Sequence, residues 1–455
     1  MINRNCNTNT EGMNNLRVNN NFFSKIYYLF PLLGTACFLF FWVNTNIIFA
    51  YFGLIFLILP ILTLEFKKGL IIYYFLLPNI MLFKFGEDSF AITSLILMIL
   101  FVRCMLNEKL RINVIFIILI FIYLFISMLS YGLSGTSLNI MTEDIRVAMD
   151  LILMFSIITI YKHNLEEVVE NLSNAFIWGS FISGVTGILY QFVFNVNLSE
   201  YSVSNINYSR LTAINGDPNF FSVCLSLSVS LIILKVLRKK YNLFDILLLI
   251  ALIIFGMLSY SRGFIIAMIP NLIILMYLFA SFKRIKISYK LFLILVFLTL
   301  IAFNWKFLQG IFNTTILRFT TEEYQGGSGR TELWAYYINE YIKSVKNILI
   351  GLGVPYLDIP GWGFKAQHNI YLQALTSKGL IGTTILLLIY GKLFNTIRRN
   401  FSINNYNIIS FLPIITLAIG FMFLNGINND IGIMTFALSF FAMNLFEASK
   451  GRSGE

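Results

Sequence analysis

The sequence predicts an all-α, polytopic membrane protein: a bundle of about fourteen transmembrane helices with one long structured loop outside the bilayer. Three observations predict it. Of 455 residues, 58% are hydrophobic, 16% aromatic and 12% charged, whereas globular domains carry about a quarter charged residues. Apolar runs of about 17 to 25 residues, the length that crosses a bilayer, recur almost end to end. The Lys and Arg residues behind the net charge of +11 are scattered between those runs as short clusters, which is the pattern of topology signals and not of a nucleic-acid face.

The runs begin near Lys25, Asn46, Gly69, Ser89, Asn113, Arg146, Asn171, Pro218, Tyr241, Gly263, Lys290, His368, Asn407 and Asp430. Pro60, Pro78, Pro270 and Pro413 interrupt some of them, which membrane helices tolerate when neighbours satisfy the freed backbone groups. Residues 1–24 are polar and asparagine-rich and lack the apolar core and cleavage site of a secretory signal, so they read as a disordered cytoplasmic tail. Residues 25–447 form the transmembrane domain, and 448–455 a second cytoplasmic tail. With the amino terminus inside, Lys67 and Lys68, Arg103 with Lys109 and Arg111, Lys162, Arg238 to Lys240, Lys283 to Lys286, and Arg398 with Arg399 all fall in cytoplasmic loops. Every dense basic cluster then lies on the side that retains positive charge during insertion.

The same topology leaves residues 305–367 outside as a large loop, long enough to be a structured lid or binding element. Within it Trp334, Ile338, Tyr341, Ile342 and Val345 recur at helical spacing opposite Glu332, Glu340, Lys343 and Lys346, as expected of an amphipathic helix on the membrane surface. Four cysteines sit apart from one another and suggest neither a disulfide framework nor a metal site.

The candidate chemistry lies among the few charged groups left outside. Arg146, Arg210, Arg262, Arg318 and Arg330 oppose the general charge bias. Each reads either as an interfacial anchor or as part of an anion clamp, because a guanidinium fork matches phosphate oxygens in bidentate fashion. Arg330 follows the glycine-rich turn Gly326-Gly327-Ser328-Gly329, which is either a hinge or an anion-binding helix start. No Walker-type lysine follows, so nucleotide hydrolysis is not indicated. Asp217, before Pro218 and Asn219, is explained by helix capping, with a ligand contact as the alternative. Only two histidines are present, His163 and His368. His368, on the outer side at a helix start, is either a polar cap or a general base, since imidazole titrates near neutrality. The acids Glu87, Asp88, Glu143 and Asp144 also lie outside.

The stretch from His368 to Gly382, HNIYLQALTSKGLIG, places nine residues between a His-Asn pair and a Gly-x-x-Gly. With RLTAINGDPNFFS, SYSRGFIIAM and GRTELW followed by ILIGLGVP, all in order, it resembles the bacterial O-antigen ligase and polymerase superfamily over about residues 200 to 390. The resemblance implies a membrane glycosyltransferase-like fold in the bacterial cytoplasmic (inner) membrane, with an extracytoplasmic active site. It further implies a metal-independent enzyme without cofactors that uses a glycan on polyprenyl diphosphate as donor. By motif position Arg262 and Arg330 would hold the diphosphate and His368 would activate the acceptor hydroxyl, with Arg210, Arg146, Asn369, Asp217 and Arg318 as substrate contacts. The preferred expectation is a polymerase of surface polysaccharide (O-antigen, capsule or exopolysaccharide), whose acceptor is a lipid-linked repeat unit. The alternatives are a ligase that uses lipid A core or another surface acceptor, and a lipid-linked sugar flippase. Expected partners are the lipid-linked donor and acceptor and the bilayer, with a flippase and a chain-length regulator as candidates, and no nucleic acid.

Overall fold

The computed structural model describes residues 27, 29–80, 82–85, 91–135, 141–194, 200–203, 206–212, 217–238, 242–281, 309, 313, 329–354, 356–361, 363–401, 403, 406–424 and 430–452. The expected amino-terminal tail, the run near Lys290, Glu87, Asp88 and Arg318 lie outside the described residues.

The described chain is helical almost throughout, and thirteen of the fourteen expected runs have a helix starting within a few residues. In order these are α1 (Leu29–Asn44), α2 (Ile47–Thr63), α3 (Phe66–Leu76), α4 (Ile92–Met105), α5 (Val114–Ser134), α6 (Met141–Ile160), α7 (Leu165–Ile188), α8 (Pro218–Leu237), α9 (Leu243–Leu258), α10 (Arg262–Ser281), α13 (Ile370–Asn400), α14 (Leu412–Phe421) and α15 (Asp430–Arg452). Two helices of the large loop, α11 (Arg330–Ile342) and α12 (Val345–Ile350), stand between α10 and α13. Two antiparallel hairpins complete the described structure: β1 (Glu200–Val203) with β2 (Ile206–Ser209), and β3 (Tyr356–Ile359) with β4 (Gly363–Ala366). The helix α15 continues into the segment expected as a carboxy-terminal tail.

By length and composition α5, α7 with its π-helical extension to Val193, α8 and α13 are long and apolar enough to cross a membrane. Several other apolar helices are shorter, and asparagines cap helices of both lengths. Asn46 accepts from Ile48 N and Asn113 from Ile115 N, each cap supplying about 1 kcal/mol. The protein is thus a multi-pass, all-α membrane protein. Large apolar residues such as Phe121, Phe125, Leu387 and Leu388 remain exposed on the outer faces of α5 and α13, where lipid and not water is the natural contact.

At the centre stands α8, with 78% of its apolar window buried. It is serine-rich: Ser222, Ser226, Ser228 and Ser230 are all buried, and Ser228 donates to Ser180 of α7 at 2.8 Å. Small hydroxyl side chains let membrane helices approach while satisfying their own polar atoms. A close approach to backbone is at Gly179 of α7, where an added Cβ would lie 2.1 Å from the Phe75 carbonyl oxygen.

The basic loops gather at one end of the bundle. There Lys67 pairs with Glu167 at 2.6 Å, Arg238 with Glu170 at 3.7 Å and Lys235 with Asp245 at 2.6 Å. Arg103 donates to the carbonyls of Ile61 and Leu64, and Asn400 to that of Ile158. Those contacts join the carboxy-terminal ends of α2, α4, α6, α8 and α13 to the amino-terminal ends of α3, α7 and α9. The starts of α8, α10 and α13 therefore lie at the opposite end.

Candidate active site

At that opposite end, the turn between α9 and α10 is pinned from three sides. Leu211 N donates to the Leu258 carbonyl and Arg210 Nε to that of Ser259, both at 2.9 Å. Gln191 of the α7 extension in turn donates to the Arg210 carbonyl at 2.9 Å. Ser261 donates to Asn219 Oδ1 at 3.0 Å and accepts from Ser222 at 3.1 Å. Tyr260 holds φ 47°, a left-handed conformation unusual for a residue with a side chain. This network fixes the backbone that presents Arg262, the first residue of α10.

Asp217 makes the expected cap, accepting from Asn219 N at 2.7 Å ahead of Pro218. Its charge also acts on His368, so the cap and the imidazole are neighbours.

Arg330 opens α11 behind Gly329, whose φ of 71° makes the left-handed turn that a glycine adopts without strain. Its guanidinium lies over the Phe423 ring, 5.9 Å from the centroid, within cation–π range. Phe423 also covers the start of α10, since a Cβ added at Gly263 would lie 3.2 Å from it. Arg330 and Gly263, the residue after Arg262, thus meet at one aromatic residue just past the end of α14.

The face that α11 buries within the protein is a different one from the apolar face expected to lie on the membrane. Leu333, Tyr337 and Tyr341 are buried, whereas Ile338, Ile342 and Val345 are 45%, 58% and 72% exposed. The reason is hydrogen bonding: Tyr337 Oη donates to the Lys365 carbonyl at 2.6 Å and accepts from Leu357 N at 2.8 Å, and Tyr341 Oη donates to the Ile348 carbonyl at 2.8 Å. These polar-tipped rings face the β3–β4 hairpin and α12, leaving the aliphatic residues outward. The helix also ends at Ile342, and Ser344 caps α12 separately through Asn347 N.

His368 is held from both sides. Trp334 Nε1 donates to the Gln367 carbonyl at 2.7 Å, and the buried Gln367 amide donates to Thr376 Oγ1 at 3.1 Å. On the other side Asn369 Oδ1 accepts from Tyr371 N and Leu372 N, at 3.0 and 3.1 Å. His368 itself has φ 51°. A non-glycine residue in this region costs on the order of 1–3 kcal/mol and persists only where its surroundings over-determine it. Burial pushes the imidazole pKa below its ordinary value, and the positive charges of Arg330 and Lys365 push the same way while Asp217 opposes them. The group is therefore neutral at neutral pH, the state in which imidazole accepts a proton.

The structure thus brings Arg330, Asp217 and His368 with Asn369 to one end, and the start of α10 that carries Arg262 lies against the Phe423 that Arg330 also meets. Arg210 lies buried behind them against Ser259. Arg146 lies between α6 and α4, donating to Ser94 Oγ at 3.0 Å, and no described contact joins it to the His368 group. Arg318 lies outside the described residues.

A second polar cluster was not anticipated. Lys378 of α13 and Asp144 of α6, with side chains 1% and 0% exposed, form an ion pair at 2.5 Å. Asp144 also accepts from Tyr123 Oη at 2.8 Å and Tyr131 Oη at 2.5 Å. Both carboxylate oxygens are engaged, which takes Asp144 out of consideration as a metal ligand in this conformation. At the next residue, Gly379, the helix breaks with φ 67° and ψ −176°. The carbonyls this frees are satisfied from outside: Thr376 accepts from Leu352 N at 2.7 Å, and Ser377 from Gly353 N at 3.2 Å and Ser130 Oγ at 3.1 Å. The signal for this cluster was a lysine in the midst of an apolar run, immediately before a glycine. Among the described residues no group of three or more His, Cys, Asp or Glu residues could hold a metal ion.

Residues 246–387 match the family model described as O-antigen ligase, and the match supports the resemblance of this segment to the O-antigen polymerase and ligase superfamily. The matched segment runs from α9 through the first part of α13, and so contains Arg262, Arg330 and His368. No curated protein and no solved structure matches the chain.

Proposed function

We propose, with the match of residues 246–387 to the O-antigen ligase family model as the premise, that this protein is a polymerase of surface polysaccharide. It would transfer a growing glycan from polyprenyl diphosphate onto a hydroxyl of a second lipid-linked repeat unit. The observation that carries this reading is Arg330 beside a neutral histidine, with the helix start that carries Arg262 against the same Phe423, at the end of the bundle opposite the basic loops. Arg262 and Arg330 bind the diphosphate and stabilise the negative charge that develops as its bond to the sugar anomeric carbon breaks. His368 takes the proton of the acceptor hydroxyl as that oxygen bonds to the same carbon. Atoms balance without water, nucleotide or metal: the products are the extended lipid-linked glycan, free polyprenyl diphosphate and a proton on the imidazole. Asp217, across from His368, stabilises that imidazolium when it forms.

On this reading the basic end is cytoplasmic by the positive-inside bias, and the site opens on the extracytoplasmic side. The description of the matched family favours a second reading, a ligase with the same donor and a different surface acceptor. Purified protein in detergent, supplied only with lipid-linked repeat units, separates the possibilities. Glycan ladders from the native protein and none from His368→Ala support the polymerase. Product formed only when a lipid A core acceptor is added supports the ligase, and no transfer under either condition refutes both.

A further inference from the structure

Far from His368, the end of α13 takes part in a cavity that the proposed reaction does not use. Beyond its break at Gly379, α13 runs on to Asn400, roughly 30 Å at 1.5 Å per residue, so its far end lies about a bilayer's thickness from the break. The cavity, about 370 Å³, lies at the far end, between the carboxy-terminal turns of α13, the start of α5 and Phe155 of α6. Its size falls within the range of small-ligand sites.

Three cations line it: Arg111 ahead of α5, and Lys392 and Arg399 on α13. Lys392 and Arg399 are seven residues apart, hence two turns along one face of the helix. Asn113, Thr396 and Asn400 add neutral polar groups, and no acid is among the lining residues. Elsewhere at this end basic residues have carboxylate partners, as in Lys67 with Glu167 and Lys235 with Asp245. Among the described residues none is paired with Arg111, Lys392 or Arg399. Three like charges around one concavity repel one another unless an anion occupies it. The side chains suit a phosphate: guanidinium forks for bidentate contact and an ammonium as a point charge.

We propose that this cavity is a phosphate site that takes the headgroup of an anionic phospholipid from the leaflet at the basic end. What favours a lipid over a free ion is the surface beside it. Val114, Ile115 and Ile118, the first residues of α5, are 71%, 58% and 50% exposed. They form an apolar track along which acyl chains lie when the headgroup sits between the cations. Basic pockets between membrane helices are the usual setting for such headgroups.

The test uses the full-length protein in a neutral detergent, titrated with phosphatidylglycerol, with phosphatidylcholine and separately with inorganic phosphate, and followed by native mass spectrometry and thermal melting. Phosphatidylglycerol is expected to bind at least tenfold more tightly than phosphatidylcholine and to raise the melting temperature. The double variant Lys392→Gln/Arg399→Gln is expected to lose that tenfold preference. Arg398→Gln serves as the control. Its Nε donates to the Ile403 carbonyl at 3.1 Å and it does not line the cavity, so its preference should be native. Inorganic phosphate matching the lipid in affinity, and displacing it, would assign the site to a free anion and overturn the lipid proposal. Equal loss in Arg398→Gln and the double variant, or no preference in the native protein, would overturn the site itself. Arg111→Gln provides a second route should the double variant fail to fold, with loss of preference again expected.

Discussion

The buried pair between Lys378 and Asp144 gives a sharp test of how α13 is held. Both side chains are essentially inaccessible, and Asp144 receives two tyrosine hydroxyls besides the ammonium. Lys378→Met keeps the bulk of the side chain but leaves a carboxylate buried without a countercharge. Breaking a buried pair from one side costs about 3–5 kcal/mol. With an unfolding entropy of about 2.1 cal/mol/K per residue, a chain of this length would lose on the order of 3–5 °C in Tm, and more if only part of the bundle melts. The double variant Lys378→Met/Asp144→Asn removes both charges, while the asparagine Oδ1 still accepts from Tyr123 Oη and its Nδ2 can donate to Tyr131 Oη. It should regain most of the loss, giving a coupling of roughly 2 kcal/mol or more. Thermal unfolding in detergent, with transfer activity measured in parallel, reads both quantities. If Lys378→Met melts within about 1 kcal/mol of the native protein, or the double variant is as unstable as the sum of the two single ones, the pair does not hold the helix.

His368→Ala should lower transfer by about 10² to 10⁴ while donor binding survives, as measured by turnover and by lipid-donor binding. The native rate should persist below the ordinary imidazole range, because burial and Arg330 depress the His368 pKa, and fall only at more acid pH as the base is protonated. Asp217→Asn, which still caps α8, removes the opposing influence and should move that acid limb lower still; a limb that moves upward contradicts the placement of Asp217. By the same sign, the stability contributed by the buried neutral imidazole is present above about pH 6.5 and is lost as pH falls through the depressed folded value. Arg262→Ala and Arg330→Ala should each reduce turnover strongly at equal membrane abundance, with partial rescue by lysine. Gly379→Ala should destabilise by roughly 2 kcal/mol or more: its Cβ would lie 2.4 Å from the Leu349 carbonyl oxygen in a backbone region other residues avoid. A melt unchanged from native would refute that. Finally, a cysteine at the exposed Thr331 should react with an impermeant thiol reagent on intact cells and one at Lys109 only after lysis, the reverse pattern inverting the topology.

Much of this architecture was legible in the sequence because membrane helices declare themselves locally. The asparagine caps of α2 and α5 and the Asp217-Pro218 start of α8 sit where capping chemistry puts them. The described basic residues from Lys67 and Arg103 to Arg238 and Arg398 share one end, as a single rule of insertion would have it. The helical periodicity of the large loop was also visible, but not its buried face. Spacing counts Ile338 and Tyr341 alike as apolar, whereas a tyrosine hydroxyl that finds a backbone carbonyl can be buried in preference to an isoleucine. The hairpin β3–β4 turns at Gly361 and Gly363, with φ 80° and 66°, in a stretch whose Pro-Gly signal was overshadowed by the helices around it. Least legible was the Lys378–Asp144 pair, whose members are separated by 234 residues. No local pattern announces which acid will neutralise a buried lysine.

The break at Gly379 also bears on how the site comes into being during biosynthesis. The nine residues from Ile370 to Lys378 do not share a continuous hydrogen-bond ladder with the rest of α13. Their last carbonyls are closed by Leu352 and Gly353, and their first turn is anchored through Tyr371 to the Ala418 carbonyl at 2.9 Å. The anchor at Ala418 belongs to α14, a helix synthesised after α13 itself. Lateral release of α13 into the bilayer therefore cannot by itself orient His368. The imidazole reaches its geometry only once the loop helices have docked from one side and a later helix from the other, so the end that carries the proposed site matures after the last of these segments has been made.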